Sequence, residues 1–327
     1  MRKPLEREDV SQLTAELDSL SDPADTQALL ALLRRLHALG RRDLPLGRVF
    51  EGHVDALQII ARYGTPAQAA RSQQVAREGG VFGVWNADLP GEPLRWSGRR
   101  LGGGKAFASG AGILSHALVS VDVEGGRQLL LIDLAQTPPA IDPDWWRVTG
   151  MQRSETHVVR WSDQALSADA RIGKPGDYVQ EPWFSGGALR FAAVQAGGVA
   201  ALVDHVRDHL VAQDRAGDPH QSARLAGLYR VAQAAADAVT TAARHWNDAD
   251  VTSTLAHVAA ARVAVYDAGE RALTLAQAAI GLQAMFVDHP AAAALTDLAV
   301  YLRQPGPDAQ TMRVGEAVAS GVLTPTL

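Results

Sequence analysis

Phe107 and Ser109 are the first pair of residues whose types and spacing indicate ligand binding. They lie two residues apart in segment 101–111, shortly after three consecutive glycines. Side chains two residues apart on a strand point to the same side, so one segment could cover a flat ring with Phe107 and hydrogen-bond it through Ser109. The alternative is a glycine-rich turn followed by an edge strand. The glycines alone do not indicate a phosphate loop, because no Gly-Lys-Ser/Thr sequence follows them.

Candidate bases are scarce in the second half of the chain. After residue 160 the chain contains three glutamates: Glu181, Glu270 and Glu316. Glu270 precedes Gln277 by two helical turns, so the two side chains could share a helix face. Glu270 is therefore a weak candidate for a catalytic base, and a surface or ion-paired role is the alternative.

The ten histidines do not indicate a metal site. His205 and His209 have the i, i+4 spacing of two ligands on one helix. Asp204 and Asp208 beside them favour a solvated face, however, and the sequence places no third ligand. No Gly-x-Ser-x-Gly elbow or other hydrolase signature occurs. We therefore expect no metal cofactor.

Composition narrows the functional class. A chain of 327 residues exceeds the usual size of one core, so two or three packed units are expected. The absence of cysteine excludes disulfides, thiolate metal sites and a cysteine nucleophile. A net charge of −5 without basic blocks argues against nucleic acid as the partner. The apolar runs are too short for a membrane span, and the charged start of the chain lacks a signal-peptide core, which predicts a cytoplasmic protein.

Three kinds of pattern follow one another along the chain. Helical spacing of leucines and helix-capping residues predict helices over about 22–40, 49–62 and 65–80. Short β-prone runs separated by turn residues then predict strands at 81–85, 99–101, 117–123, 128–134 and 156–161, with a hairpin turn at 124–127. Four alanine-rich helices are predicted over 189–212, 219–246, 250–285 and 291–303.

This order predicts an α+β fold that is mostly α. We expect an N-terminal helical domain (1–80), a central antiparallel β domain (81–175) and a C-terminal four-helix bundle (176–327). So much alanine at the helix contacts implies that the bundle helices approach closely. A cleft should form where the β domain meets the bundle, and cofactors tend to bind at such junctions.

Four segments together resemble the acyl-CoA dehydrogenase family of flavoproteins: Val84-Trp85-Asn86-Ala87-Asp88, Lys105-Ala106-Phe107-Ala108-Ser109, Gly150-Met151-Gln152-Arg153 and Gln277-Ala278-Ala279-Ile280-Gly281. The resemblance extends over about 48–308. It implies an FAD cofactor, a small-molecule substrate such as an acyl-CoA, and a homodimer or homotetramer. The third segment marks the end of the β domain, and most of its residues are expected to be structural.

The resemblance also implies roles for the first two segments. Ala87-Asp88-Leu89 replaces the Thr-Glu-Pro of the family, so the backbone groups of Trp85 and Asn86 would contact the flavin; a plain buried strand is the alternative. Phe107 corresponds to the aromatic residue that flanks the isoalloxazine ring, and Ser109 corresponds to its hydroxyl partner.

Two further positions are implied to act across a subunit boundary. Asp214-Arg215-Ala216-Gly217 matches the position of the family's Arg-x-x-Phe-Gly, whose arginine reaches the flavin pyrophosphate of the neighbouring subunit. A solvated charge at a helix end is the alternative for Arg215. Gln277 and Gly281 match the family's Gln-x-x-Gly-Gly; a glycine inside a helix costs about 1 kcal/mol, which suggests close approach of either a partner's FAD or another helix.

The family's catalytic base has no counterpart at its expected positions. The usual glutamate would fall at Gln304 or Pro305, and the alternative site, just before Arg190, is Leu189. The resemblance therefore implies α,β-dehydrogenation of an acyl thioester with an unassigned base. A flavin-dependent monooxygenase of the same fold, which needs no such base, and a non-catalytic member are the alternatives.

Overall fold

The protein is described by a computed structural model that covers residues 3–17, 19–248, 250–303 and 306–325. Helices form both ends of the chain and two four-stranded sheets form its middle. The predicted class, mostly α with a central β region, is confirmed. The exact domain division remains a prediction.

The N-terminal region contains α1 (Arg7–Thr14), α2 (Thr26–Arg42), α3 (Leu44–Tyr63) and α4 (Pro66–Arg77). Capping fixes their starts, because the side chains of Asp25, Asp43 and Thr65 each accept a hydrogen bond from the first turn that follows. Helix α3 begins five residues before the predicted start, since Asp43 caps it and Pro45 is tolerated in a first turn. Helix α1 was not predicted.

The central region contains eight strands: β1 (Phe82–Trp85), β2 (Arg95–Trp96), β3 (Arg100–Ala108), β4 (His116–Val123), β5 (Gly126–Asp133), β6 (Ala140–Asp142), β7 (His157–Ala165) and β8 (Arg171–Ile172). One sheet has the order β1-β4-β5-β8 and the other β2-β3-β7-β6. The prediction of purely antiparallel pairing is wrong at one position, because β1 pairs with β4 in parallel. The short strands β2, β6 and β8 carry too few residues to show a period in sequence.

The C-terminal region contains α5 (Trp183–Gly186), α6 (Ala188–Ala212), α7 (Pro219–Arg244), α8 (Val251–Ile280), α9 (Pro290–Tyr301) and α10 (Pro307–Ala319). The four predicted bundle helices correspond to α6–α9. Helix α8 ends earlier than predicted, and a 3₁₀ turn (Gly281–Met285) follows it. Gly281 is therefore not inside α8: it is the C-cap of that helix, with φ +76°, and the first residue of the 3₁₀ turn. Helix α10, which packs on α8, was not predicted.

Small residues bring the helices close together, as the alanine content predicts. A Cβ atom added to Gly197 of α6 would lie 2.0 Å from the carbonyl oxygen of His37 on α2. One added to Gly40 of α2 would lie 2.0 Å from the carbonyl oxygen of Val194. Any side chain at either position would force α2 and α6 apart.

Segment 150–153 joins the β region to the helices, which agrees with its expected structural role. A Cβ at Gly150 would lie 2.1 Å from the carbonyl oxygen of Thr296 on α9, and the Met151 amide donates to Asp297 at 2.5 Å. Arg153 donates to Asp43, the cap of α3, at 2.5 Å. The β region is thereby fixed to both helical regions.

One helical stretch, 183–212, is long and apolar enough to cross a membrane by length and composition. Of its most apolar window, 83% is buried inside the protein, which is typical of a core helix.

Candidate functional site

A cavity of about 680 Å³ lies between α3, the end of β1, and the ends of α9 and α10. We call it the inner cavity. Its volume falls within the usual range for small-molecule and cofactor sites. Seven aromatic residues line it: Tyr63, Phe107, Tyr178, Trp183, Phe184, Phe191 and Tyr301. It therefore presents several flat faces to a ligand.

The β region contributes one wall of the inner cavity. Val84, Asn86 and Ala87 line it at the end of β1, and Phe107 lines it from β3. The Trp85 side chain is buried behind this wall, where it packs against Trp161 with ring centroids 6.2 Å apart. Trp85 does not line the cavity, and the contact of its backbone with a ligand stays a prediction.

A buried charge cluster supports that wall. The Lys105 ammonium lies 2.7 Å from Asp88 and 3.1 Å from the carbonyl oxygen of Asn86, and Arg127 binds Asp88 at 2.9 Å. Burial lowers the pKa of Lys105 to about 8, although its bond to Asp88 works in the opposite direction. Burial alone would raise the pKa of Asp88, but the hydrogen bonds from Lys105 and Arg127 hold it below its usual value. The cluster fixes the carbonyl of Asn86 at the cavity edge.

Phe107 and Ser109 do not share one face of a regular strand. The β3–β7 register shifts between Lys105 and Ala108, and Phe107 has φ +53°. The phenyl ring is 52% exposed, and its centroid lies 4.9 Å from that of Trp145. The argument from strand alternation is therefore wrong, since Phe107 lines the inner cavity and Ser109 is not part of its lining. Their cofactor contacts remain predictions.

Ser109 instead ends a short chain of hydroxyl groups. The Thr156 hydroxyl donates to the Ser109 oxygen at 3.0 Å, and Ser154 lies 2.8 Å from Thr156. The Ser109 backbone oxygen accepts a bond from the Trp85 indole at 2.9 Å. Ser109 therefore links the end of β3 to the core behind the cavity wall.

A second wall of the inner cavity, formed by α3, is charged. Arg48 binds Glu51 at 2.8 Å, and Asp55 is paired with Arg190 of α6, which also donates to Gln58 at 3.0 Å. Burial raises the pKa of Glu51; Arg48 opposes this effect and Asp55 adds to it. The sequence analysis missed this wall because α3 lies outside the four family-like segments.

Arginines gather at one rim of the inner cavity. Arg262 of α8, Arg303 and Arg313 of α10 all line it. Burial, followed by the charge of Arg313, lowers the pKa of Arg262 to about 10. The guanidinium of Arg262 lies 5.1 Å from the centre of the Phe191 ring. This rim is electropositive and suits an anionic part of a ligand.

The remaining predicted residues lie at another place on the molecule. Gln277 lines a second cavity of about 1080 Å³, which we call the end cavity, and it shares no described lining residue with the inner one. Arg215 is exposed in the loop after α6, and Gly281 is exposed at the end of α8, where a Cβ would meet nothing within 4 Å. A glycine therefore suits this position because the backbone has a positive φ, not because another part of this chain approaches it closely. The residues predicted to bind the cofactor thus fall into two separate groups.

The alternative base candidates lie outside the inner cavity or outside the described residues. Glu270 binds Arg303 at 2.8 Å and does not line the cavity. Leu189 is a buried core residue of α6. Gln304 and Pro305 lie outside the described residues. Within the described residues, no group of three His, Asp or Glu side chains could hold a metal ion.

No protein-family model and no curated protein matches this chain. Solved structures do match it. Butyryl-CoA dehydrogenase from Megasphaera elsdenii superimposes with a TM-score of 0.77 at 18% identity, over 91% of this chain and 83% of that one. FMN-bound TdsC from Paenibacillus sp. A11-2 superimposes with a TM-score of 0.78 at 17% identity, over 96% of this chain and 97% of that one. A nitrososynthase from Micromonospora carbonacea var. africana superimposes with a TM-score of 0.73 at 18% identity, over 89% of this chain and 82% of that one.

The chain has the acyl-CoA dehydrogenase fold. The predicted resemblance is confirmed at the level of fold, and at these identities the likeness reaches no further. Its function has to be argued from the inner cavity and its walls.

The lining of the inner cavity fits a flat ring system. The wall made by Val84, Ala87 and the exposed Phe107 ring offers flat apolar contact for such a ligand. A buried hydroxyl group in its lining, that of Tyr301, has no hydrogen-bond partner among the described residues. Such groups are normally satisfied, so a ligand that accepts hydrogen bonds fits this cavity.

Proposed function

We propose that this protein is a flavin-dependent oxidoreductase that binds the flavin ring in the inner cavity. The observation that carries the proposal is the pairing of two unlike walls around one space. The flat wall of Val84, Ala87 and Phe107 and the charged wall of α3 line the same space. A ring stacked on the first wall would therefore share this space with ionisable groups, which is the arrangement needed for coupled electron and proton transfer.

We further propose that the cofactor is FAD and that two copies of the chain complete its site. Arg215, Gln277 and Gly281 are exposed near the end cavity, away from Phe107. We propose that they receive the adenosine diphosphate half of a partner's cofactor. The loop beside Gly281 exposes four large apolar side chains, Leu282, Met285, Phe286 and Val287, which supports an association surface there. A cytoplasmic location remains a prediction.

For the reaction, we propose α,β-dehydrogenation of an acyl thioester. When bound, oxidised flavin would supply the hydride acceptor. The chain itself would hold the thioester in the inner cavity, with its anionic portion at the rim of Arg262, Arg303 and Arg313. The cavity walls would exclude water from the reacting carbon atoms.

Oxygenation of an aromatic compound is the second candidate. Its support is the aromatic lining of the inner cavity together with the charged α3 wall, which does not suit a long saturated chain. One similar solved structure is that of a dibenzothiophene monooxygenase (TdsC) from Paenibacillus sp. A11-2. That activity belongs to the other protein; for this chain, oxygenation is the alternative to dehydrogenation.

Titration of the purified protein with FAD and with FMN tests the cofactor proposal. We expect quenching of flavin fluorescence and a perturbed visible spectrum, and the absence of both with either flavin would refute it. Anaerobic addition of short-, medium- and long-chain acyl-CoAs then tests the reaction, because bleaching of the flavin band requires dehydrogenation. A bound flavin that stays oxidised with all of them, but consumes oxygen after chemical reduction and converts dibenzothiophene or indole, would support the monooxygenase.

A further inference from the structure

The inner cavity contains two carboxylates that the sequence analysis did not select. Among its described lining residues, Glu51 and Asp55 are the acidic side chains, and both come from α3. Neither position corresponds to the two places where a base was sought. The α3 wall therefore offers a carboxylate from a different helix and a different side of the cavity.

Glu51 is better placed than Asp55 to exchange a proton with a ligand. Its side chain is 4% exposed, and its Oε2 atom accepts a hydrogen bond from Arg48 at 2.8 Å. Its Oε1 atom makes no hydrogen bond within the described part of the chain, so one oxygen is anchored and the other is available. Asp55, by contrast, forms an ion pair with Arg190.

Tyr301 supplies a hydrogen-bond donor to the same cavity. It is the last residue of α9, it is 2% exposed, and it lines the same cavity. Its hydroxyl group has no hydrogen-bond partner among the described residues. Burial, and then the negative charge of nearby Glu51, raises the pKa of Tyr301, so the hydroxyl stays protonated and can donate.

We propose that Glu51 is the proton acceptor of the inner cavity, that Arg48 positions its carboxylate, and that the Tyr301 hydroxyl donates a hydrogen bond to the substrate oxygen. This proposal rests on the proposed dehydrogenation. The bond between the α-carbon and its hydrogen breaks, and the proton goes to Oε1 of Glu51. The electron pair of the broken bond forms the new double bond between the α- and β-carbons. Oxidised flavin, when bound, would accept the β-hydrogen together with its electron pair.

The charges around Glu51 suit this role. Burial raises its pKa, and a desolvated carboxylate is a stronger base than one in water. Five groups interact with it: Arg48 and Asp55 from α3, Arg190 from α6, Tyr301 from α9, and Tyr178 from the segment between β8 and α5. The two arginines keep the anion accessible despite burial. The rate should therefore rise with pH as Glu51 ionises, above the usual carboxylate range.

Proton abstraction can be measured separately from hydride transfer. The probe is an acyl-CoA analogue with sulfur in place of the β-methylene, which can lose its α-proton but no hydride. In deuterated buffer, the flavin-loaded wild type should exchange the α-hydrogen, and Glu51→Gln should slow that exchange by at least about a hundredfold. Tyr301→Phe should slow it by about tenfold or more. Flavin absorption and circular dichroism verify that each variant folds and binds cofactor.

Glu92→Gln is the matched control. Glu92 is also bound to an arginine, Arg160, at 3.0 Å, but it is half exposed and lines neither the inner nor the end cavity. It should exchange like the wild type. Exchange of the α-hydrogen at the wild-type rate in Glu51→Gln would overturn the proposal. Loss of exchange in Glu270→Gln but not in Glu51→Gln would overturn it as well.

A second measurement keeps the two proposals distinguishable. If the wild type binds flavin but exchanges no thioester proton, dehydrogenation is refuted, and Glu51 is then tested directly. With carboxyl-carbon-labelled glutamate, the signal missing from Glu51→Gln identifies Glu51 in the flavin-loaded protein. Titration above the usual glutamate range, with a shift on flavin binding, supports proton exchange in the cavity. Titration in the usual range, or no response to flavin, overturns it.

Discussion

The inner and end cavities are similar in scale but differ in what a single chain provides. The inner cavity has buried or half-buried walls from the β region and from α3, with fixed charges on both: Lys105 and Asp88 on one side, Arg48 and Glu51 on the other. The end cavity lies beside exposed residues, Gln277 and an apolar turn that begins at Leu282. If our proposal is right, the ring site is formed by one chain, whereas the site for the rest of the cofactor depends on association.

The largest expected effect concerns the wall that the β region contributes to the inner cavity, which we call the inner wall. Lys105→Met removes a fully buried ammonium group and leaves Asp88 with Arg127 as its remaining partner. We expect a loss of about 3 kcal/mol in the free energy of unfolding, measured by urea denaturation. Arg100→Ala breaks an exposed pair with Asp163 and should cost under about 1 kcal/mol. Equal effects would show that the inner wall is not integral to the fold.

The same lysine predicts a pH dependence. Its pKa falls from an ordinary 10.5 to about 8 in the folded chain, so the unfolded chain binds more protons between these values. The contribution of Lys105 to stability should therefore increase as the pH rises from about 8 to about 10.5. The difference between wild type and Lys105→Met in unfolding free energy isolates it. A difference that is flat across this window would contradict the shifted pKa.

Arg215→Ala tests the end region. If its guanidinium reaches the pyrophosphate of a partner's FAD, its loss should weaken FAD binding by about tenfold to a hundredfold. FMN binding should be weakened less, because FMN carries the flavin-side phosphate but lacks the adenosine half. Isothermal titration with both flavins measures this contrast. Equal weakening of both would place Arg215 at a part that FMN and FAD share and erase the distinction between the two regions.

Phe107→Leu should give the smallest effect and the opposite pattern. Loss of the exposed aromatic ring should weaken FMN and FAD alike, by about twofold to tenfold. Fluorescence quenching during flavin titration is the measurement. Thr137→Ser, in a buried part of the β region outside both cavity linings, is the control. A change confined to FAD would contradict placement of the ring at the inner wall.

The sequence by itself determined the order of regions and most of the elements. Asp25, Thr65 and Pro66 mark helix starts through local capping, and short runs of apolar, β-prone residues mark β4 and β5. Each of these signals involves only residues that are close together in sequence, so it can be recognised before the fold is known. The family-like segments 84–88 and 105–109 likewise led to the inner wall.

Only the tertiary structure decided which side chains share the cavity. Glu51 and Tyr301 are 250 residues apart in sequence, and no local period relates them. The bulge at Phe107 and the C-cap at Gly281 also depend on backbone conformations that residue type does not specify. Burial, which makes Glu51 and Lys105 chemically unusual, arises when α3, α9 and the β region pack together, because a pKa responds to neighbours from every packed element.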